Sequence, residues 1–195
     1  LFRSNDVPLR DGDLVLIDAG AEYQHYAADV TRTFPVNGHF SPEQRAIYAV
    51  VLSAQQAGIA CIRPGVPYHH IQETVVRVLT QGLCDVGLLK GSVDTLIEQG
   101  AYKAFYMHTA GHWLGLDVHD VGAYRIQGQW RALEPGMVLT VEPGLYISPS
   151  DDVPERWWNI GIRIEDDILV TANGWDNLTA ALPVEIDDIE ALIGG

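Results

Sequence analysis

Gly12-Asp13-Leu14-Val15-Leu16-Ile17-Asp18-Ala19-Gly20 and Gly136-Met137-Val138-Leu139-Thr140-Val141-Glu142-Pro143-Gly144 align without a gap. Gly12 falls on Gly136, Asp18 on Glu142 and Gly20 on Gly144. Both runs read as apolar strands, and both end in a carboxylate. Apolar strands usually exclude carboxylates, because an unpaired buried charge is strongly unfavourable. Each run leads to a second acidic position, Asp29 and Glu165, on a stretch that again reads as a strand. A histidine cluster, His108, His112 and His119, lies between the halves. Four acidic positions plus imidazoles are what a pair of divalent metal ions needs.

Outward from the first run, Ala27 to Val36 is rich in β-branched residues, and Ala19-Gly20-Ala21-Glu22 supplies turn chemistry, which predicts a hairpin or meander. Ser41, Pro42 and Gln44 predict a capped helix start, with Ile47, Val50, Val51, Ala54 and Ala57 as its apolar stripe and Pro64-Gly65 as its end. A second helix is predicted from Tyr68 towards Gly82, with Ile71, Val75, Val78 and Leu79 on one face, and a short one after Ser92. Tyr106 to Gly122 is dense in Gly, His and apolar residues without a helical period. Met137 to Ile147 and Ile160 to Val170 read as strands. Ser148 to Asn159 reads as an exposed loop, and Pro183 to Leu192 as an acidic helix. No low-complexity linker divides the chain. The expectation is one α+β domain over residues 1–195, with antiparallel sheet and flanking helices.

Composition narrows the function classes. The chain has 195 residues, 47% hydrophobic, with a net charge of −14, which disfavours nucleic acid or an anionic membrane surface as partner. Bound cations would neutralise part of that acidity. Cys61 and Cys84 are expected to be reduced and buried, as in a cytoplasmic protein. No apolar run has membrane-spanning length, and no signal peptide is expected. The chain begins at Leu1, without methionine and close to a strand pattern, and is read as the C-terminal part of something longer.

Asp18 and Asp29 are eleven residues apart, so a turn must reset the strand faces for them to converge; Glu142 and Glu165 pose the same question across a longer loop. Oxygen-rich ligation with one imidazole suits Mn²⁺, with Zn²⁺, Co²⁺ or Fe²⁺ as alternatives. No nucleophile elbow, phosphate-binding glycine loop or Cys-x-x-Cys is present. Gly111, Gly115 and Gly122 suggest close backbone approach to something bound. His108 and His119 read as donors to a substrate carbonyl and its oxyanion. Arg163 reads as a clamp on a ligand carboxylate, and Tyr124 and Tyr146 as pocket candidates against the plainer reading of core tyrosines. His69-His70 reads as surface, without acidic company.

Asp18, Asp29, His112, Glu142 and Glu165, with the strings His112-Trp-Leu-Gly-Leu-Asp-Val-His119-Asp-Val-Gly and Val141-Glu-Pro-Gly-Leu-Tyr146, resemble the pita-bread metallopeptidases. Within them the likeness is nearest to bacterial proline-specific aminopeptidase P (Xaa-Pro aminopeptidase), with prolidase next, and it runs over essentially the whole chain. The resemblance implies a pita-bread fold of two related αβ halves around a dinuclear site. It implies Asp18 as chelator of one ion, Asp29 and Glu165 as bridges, and His112 and Glu142 completing the other ion. It also implies Glu142 as general base for a metal-bridging hydroxide, and His108 and His119 steadying the tetrahedral intermediate. The reaction implied is removal of an N-terminal residue preceding proline, from peptides with proline second, by a protein that is a homo-oligomer at full length.

Two departures accompany the likeness. The family's fold begins upstream with a helix and strands and a separate N-terminal domain, and Leu1 and Phe2 stand where the family places a substrate-contacting histidine and a tyrosine. Prolidase and a catalytically silent pita-bread binding module are the competing readings. Methionine aminopeptidase fits the Trp113 to His119 string less well.

Overall fold

A computed structural model of the chain describes residues 7–194. The departures at Leu1 and Phe2 fall outside the described residues. In chain order the elements are β1 (Leu14–Ala19), β2 (Glu22–Tyr23), β3 (Tyr26–Ala27), β4 (Val30–Pro35), α1 (Pro42–Ala60), α2 (His69–Asp85) and α3 (Val93–Glu98). There follow β5 (Arg125–Ile126), β6 (Gln129–Trp130), β7 (Val138–Val141), β8 (Gly144–Ile147), β9 (Ile160–Arg163), β10 (Asp166–Thr171), β11 (Gly174–Asn177) and α4 (Ile186–Ile193). Among the described residues all strand pairing is antiparallel: β1 with β4, β2 with β3, β5 with β6, β7 with β10, β10 with β11, and β8 with β9. The domain is thus mixed, with helices over antiparallel sheet, as expected.

α1 starts as the sequence predicts. The Ser41 side chain accepts from the Gln44 backbone N–H and the Gln44 side chain accepts from the Ser41 backbone, a reciprocal capping box with Pro42 at the first position. Ile47, Val51 and Ala54 of α1 and Ile71, Val75 and Leu79 of α2 are buried, and α1 packs on α2 and on β7, β8 and β9. Gly58 lets these layers meet, since a Cβ there would lie 3.0 Å from Val75 and 3.1 Å from Val141. The core continues through Leu139, Leu145, Ile162, Ile164 and Ile168 of the sheet.

Several local expectations are corrected. The stretch from Met137 to Ile147 is not one strand. It breaks at Glu142-Pro143, where β7, paired with β10, gives way to β8, paired with β9. Proline has no N–H to continue a ladder. The stretch from Ile160 to Val170 likewise breaks at Ile164-Glu165, between β9 and β10. At this break the Glu165 N–H donates to the Thr31 carbonyl (3.1 Å) and the Glu165 carbonyl accepts from Arg32 Nη1 (2.7 Å), so the freed backbone groups are paired across to β4. The loop from Ser148 to Asn159 carries Trp157, which is buried. The hairpin β5–β6 was not anticipated; Gln127 and Gly128 both have positive φ, the turn geometry that suits such a hairpin. Cys61 caps α1, and Cys61 and Cys84 are free thiols that are half-buried where full burial was expected.

Candidate metal centre

The carboxylates converge because strands stop where they stand. Asp18 lies near the end of β1 opposite Thr31, and Asp29 immediately precedes β4. A β2–β3 hairpin separates them and resets the faces, the turn the sequence required. Glu142 and Glu165 occupy the two strand breaks. The Glu142 N–H donates sideways to the Ala110 carbonyl (2.8 Å), which ties it to the histidine-bearing loop.

That loop is held against β7. Thr140 N–H donates to the His112 carbonyl (2.9 Å), and the His112 N–H donates to Thr140 Oγ1 (3.1 Å). Gly111 is required here, because a Cβ would sit 1.9 Å from the Thr140 carbonyl oxygen. The glycine expectation is therefore corrected. Gly111 faces Thr140, Gly115 faces the Asp120 carboxylate and Gly122 faces the Trp113 ring. The close approaches are to the protein's own atoms.

Among the described residues, potential ligand atoms fall into three overlapping sets, each within 4.8 Å: Asp18, Asp29 and Glu165; His112, Glu142 and Glu165; and Asp29, His112 and His119. The sets share members and form one cluster. The His112 Nδ1–H donates to the Trp113 carbonyl (3.0 Å), which leaves Nε2 facing Asp29 Oδ2 at 3.4 Å and Glu142 Oε1 at 3.6 Å. His119, expected only to contact substrate, lies with its ring centroid 4.3 Å from that of His112 and within the third set.

The electrostatics are those of crowded anions. Burial pushes Glu165 up to about 8, with the Glu142 charge adding to the effect. Burial also pushes Glu142 up to about 7, against the opposing pull of His112. Asp18 is raised by burial, opposed by Arg163. Burial is the largest influence on Asp29 and works to raise it, but hydrogen bonds with His112 and Asp18 and the charges of His112 and His119 together outweigh it, and the pKa is lowered. Burial would depress His112, but Asp29 and Glu142 raise it to about 9. Such a group of carboxylates and a nitrogen donor, with most of the charge desolvated, matches the donor chemistry of divalent cations.

Arg163 at the end of β9 brings a permanent cation to the cluster. Its Nη2 donates to Asp18, its Nη1 to the Tyr146 hydroxyl (3.2 Å) and its Nε to Thr31 Oγ1 (3.2 Å). The Tyr146 hydroxyl is 2.9 Å from His108 Nε2. Burial lowers the His108 pKa, and its Nδ1–H donates to the Thr109 carbonyl (2.8 Å), so Nε2 accepts from Tyr146. Tyr124 is elsewhere. It packs with Tyr68 and Trp113 at centroid distances of 4.8 and 5.5 Å, and its hydroxyl accepts from the Trp113 N–H (3.3 Å), behind the histidine loop.

Sequence reasoning missed Thr31, Thr140 and Asp167. Asp167 is buried and its Oδ2 accepts from the Asp29 N–H at 3.1 Å. Adjacency to Glu165 was the available signal. His69 is corrected too. It is only part-exposed, stacks on Trp130 at 5.1 Å, and has Glu73 at 3.6 Å, one helical turn on.

Comparison with known proteins fits this geometry. The chain is 60% identical over 192 residues to the Xaa-Pro aminopeptidase of Haemophilus influenzae, covering 98% of this chain and 44% of that protein. To the Escherichia coli Xaa-Pro aminopeptidase it is 55% identical, covering 98% and 43% respectively. Its fold superposes on Pseudomonas aeruginosa aminopeptidase PepP with a TM-score of 0.96 at 58% identity, over 98% of this chain and 43% of the other. Proline aminopeptidase P II of Yersinia pestis gives 0.93 at 57% identity, over 97% and 43%. The chain thus spans less than half the length of these relatives. The pita-bread architecture expected from the sequence agrees with these likenesses. The model of metallopeptidase family M24 matches residues 2–172, and with donor sets suited to divalent metal this chain belongs to that family.

Proposed function

We propose that the protein containing this chain is a metal-dependent aminopeptidase that removes an N-terminal residue preceding proline, and that residues 1–195 act as one catalytic domain. The observation that carries this reading is the overlap of donor sets that joins Asp18, Asp29, His112, Glu142 and Glu165 into one cluster, with ligand atoms within 4.8 Å inside each set. In this reading these five residues hold two divalent ions, Mn²⁺ first, with Zn²⁺, Co²⁺ or Fe²⁺ as alternatives. When bound, the ions supply Lewis acidity and lower the pKa of water near them. The relatives from Haemophilus influenzae and Escherichia coli, both Xaa-Pro aminopeptidases, support the substrate class.

The chain's own groups then have separable tasks. Glu142, at the break between β7 and β8 with its Oε1 3.6 Å from His112 Nε2, would take a proton from the attacking water and deliver it to the departing proline nitrogen. His119, beside His112, serves the substrate carbonyl and the developing oxyanion; His108 joins it in the tautomer that carries the proton on Nε2, with the Tyr146 contact exchanged for the substrate oxygen. Arg163 holds Asp18 in place. Tyr146 lines the site, and Tyr124 supports it from behind the loop.

The test is hydrolysis of an Xaa-Pro-Xaa tripeptide and an Xaa-Pro dipeptide by the whole protein, with Mn²⁺ and after chelation. Metal-dependent release of the first residue from the tripeptide is expected. Cleavage of the dipeptide alone would replace the reading with a prolidase, and cleavage of neither would replace it with a binding module.

A further inference from the structure

Two fully buried hydroxyls stand beside the donor cluster, one in each half: Thr31 on β4 and Thr140 on β7. A hydroxyl has one proton to donate, so a donor on one side commits that proton to the other side. Thr31 Oγ1 accepts from Arg163 Nε (3.2 Å), and its proton goes to Glu165 Oε2 (2.5 Å). Thr140 Oγ1 accepts from the His112 N–H (3.1 Å), and its proton points to Glu142 Oε1 (3.4 Å). The same device thus occurs twice: a fixed donor, a buried threonine, a glutamate of the cluster.

We propose that Thr31 and Thr140 are positioning residues that hold the Glu165 and Glu142 carboxylates in the orientation the metal donor sets require. The inference rests on the metal-centre reading above. The two threonines are not equivalent. Glu165 belongs to two of the donor sets and Glu142 to one. Thr31 also makes the shorter bond. Loss of the Thr31 hydroxyl therefore weakens both ions, whereas loss of the Thr140 hydroxyl weakens one. A threonine that merely fills space in a strand would produce no such split, and valine, of the same shape, would replace it without effect.

The experiment is a calorimetric titration of Mn²⁺ into the metal-free whole protein, comparing wild type with Thr31→Val, Thr31→Ser, Thr140→Val and Thr140→Ser. Thr31→Val is expected to weaken both binding steps by about 10-fold to 100-fold, the usual range for losing a partner of a ligand. Thr140→Val is expected to weaken one step only. Both serine variants, which keep the hydroxyl, should return to the wild-type range. Wild-type affinity in Thr31→Val, or a serine variant as weak as its valine counterpart, would overturn the proposal, and the serine comparison decides the matter should a valine variant fail to fold. A wild type that takes up no Mn²⁺ would overturn it as well. A wild type that binds two ions but cleaves no Xaa-Pro peptide would sink the proposed function while the threonines are still judged on the measured affinities.

Discussion

The two halves of this molecule begin from the same string and end in different environments. Ile17 and Val141 occupy matched positions, yet Ile17 is 48% exposed and Val141 is 0% exposed. Asp18 keeps a side-chain exposure of 48%, while Glu165 is almost fully buried. The reason is cover. α1 packs over β7, β8 and β9, while the principal neighbours of β1 are β4 and β9. The two halves accordingly handle negative charge differently. The open half neutralises Asp18 directly with the Arg163 guanidinium. The covered half leaves Glu142 and Glu165 desolvated, with raised pKa values, and borrows the Thr140 and Thr31 hydroxyls to hold them. Burial makes a carboxylate hungry for a cation; at the half-exposed Asp18 a single arginine offsets part of that cost.

The strongest way to break this contrast is at Glu142. Glu142→Gln removes the proton acceptor and one ligand charge from the covered half, and peptide cleavage should fall by about 10²- to 10⁴-fold. Circular dichroism should remain native. Near-normal turnover would show that burial there serves packing rather than chemistry.

Next is Arg163→Met in the open half. Asp18 loses its guanidinium partner, so at least one ion should bind about 10- to 100-fold more weakly in a Mn²⁺ titration. Unchanged affinity at both steps would mean that solvent alone keeps Asp18 competent.

The matched apolar positions sharpen the comparison without touching the chemistry. Val141→Ala deletes two fully buried methyl groups and should cost about 2 kcal/mol in urea denaturation. Ile17→Ala should cost less than about 1 kcal/mol, because half of that side chain is already in water. Equal costs would refute the picture of one covered and one open half.

The smallest effect is a pH trend. Glu142, Glu165 and His112 all bind protons more tightly folded than unfolded. Their contribution to stability is complete at acid pH and is lost as pH rises through about 7, 8 and 9 respectively. Asp29, with a lowered pKa, acts oppositely, its contribution being lost only on acidification. The melting temperature of metal-free protein should therefore decline between about pH 6 and pH 9, and the upward shift on adding Mn²⁺ should grow over the same window, because binding expels those protons. A flat profile for the Mn²⁺ shift would contradict the proton-loaded site.

Much of this was legible in the residues alone. The capping box at Ser41, the α1 and α2 stripes, the paired strands and the repeated carboxylate-ended runs are local patterns, set by propensity and periodicity within a few residues. So were the donor residue types, because charge at the end of an apolar strand has few other uses. Tertiary structure decided what depends on partners far along the chain. It broke both long strands at the glutamates and turned the backbone of Glu142 to Ala110 and of Glu165 to Thr31. It gave Gly111 a neighbour in Thr140 and made Arg163 the shared contact of Asp18, Tyr146 and Thr31. Thr31 and Thr140 look like ordinary strand residues until folding brings glutamate oxygens to their hydroxyls, in the case of Thr31 from 134 positions away. Local sequence specifies which chemistry a chain can carry, and only burial and long-range hydrogen bonding specify how strongly each charge needs a partner.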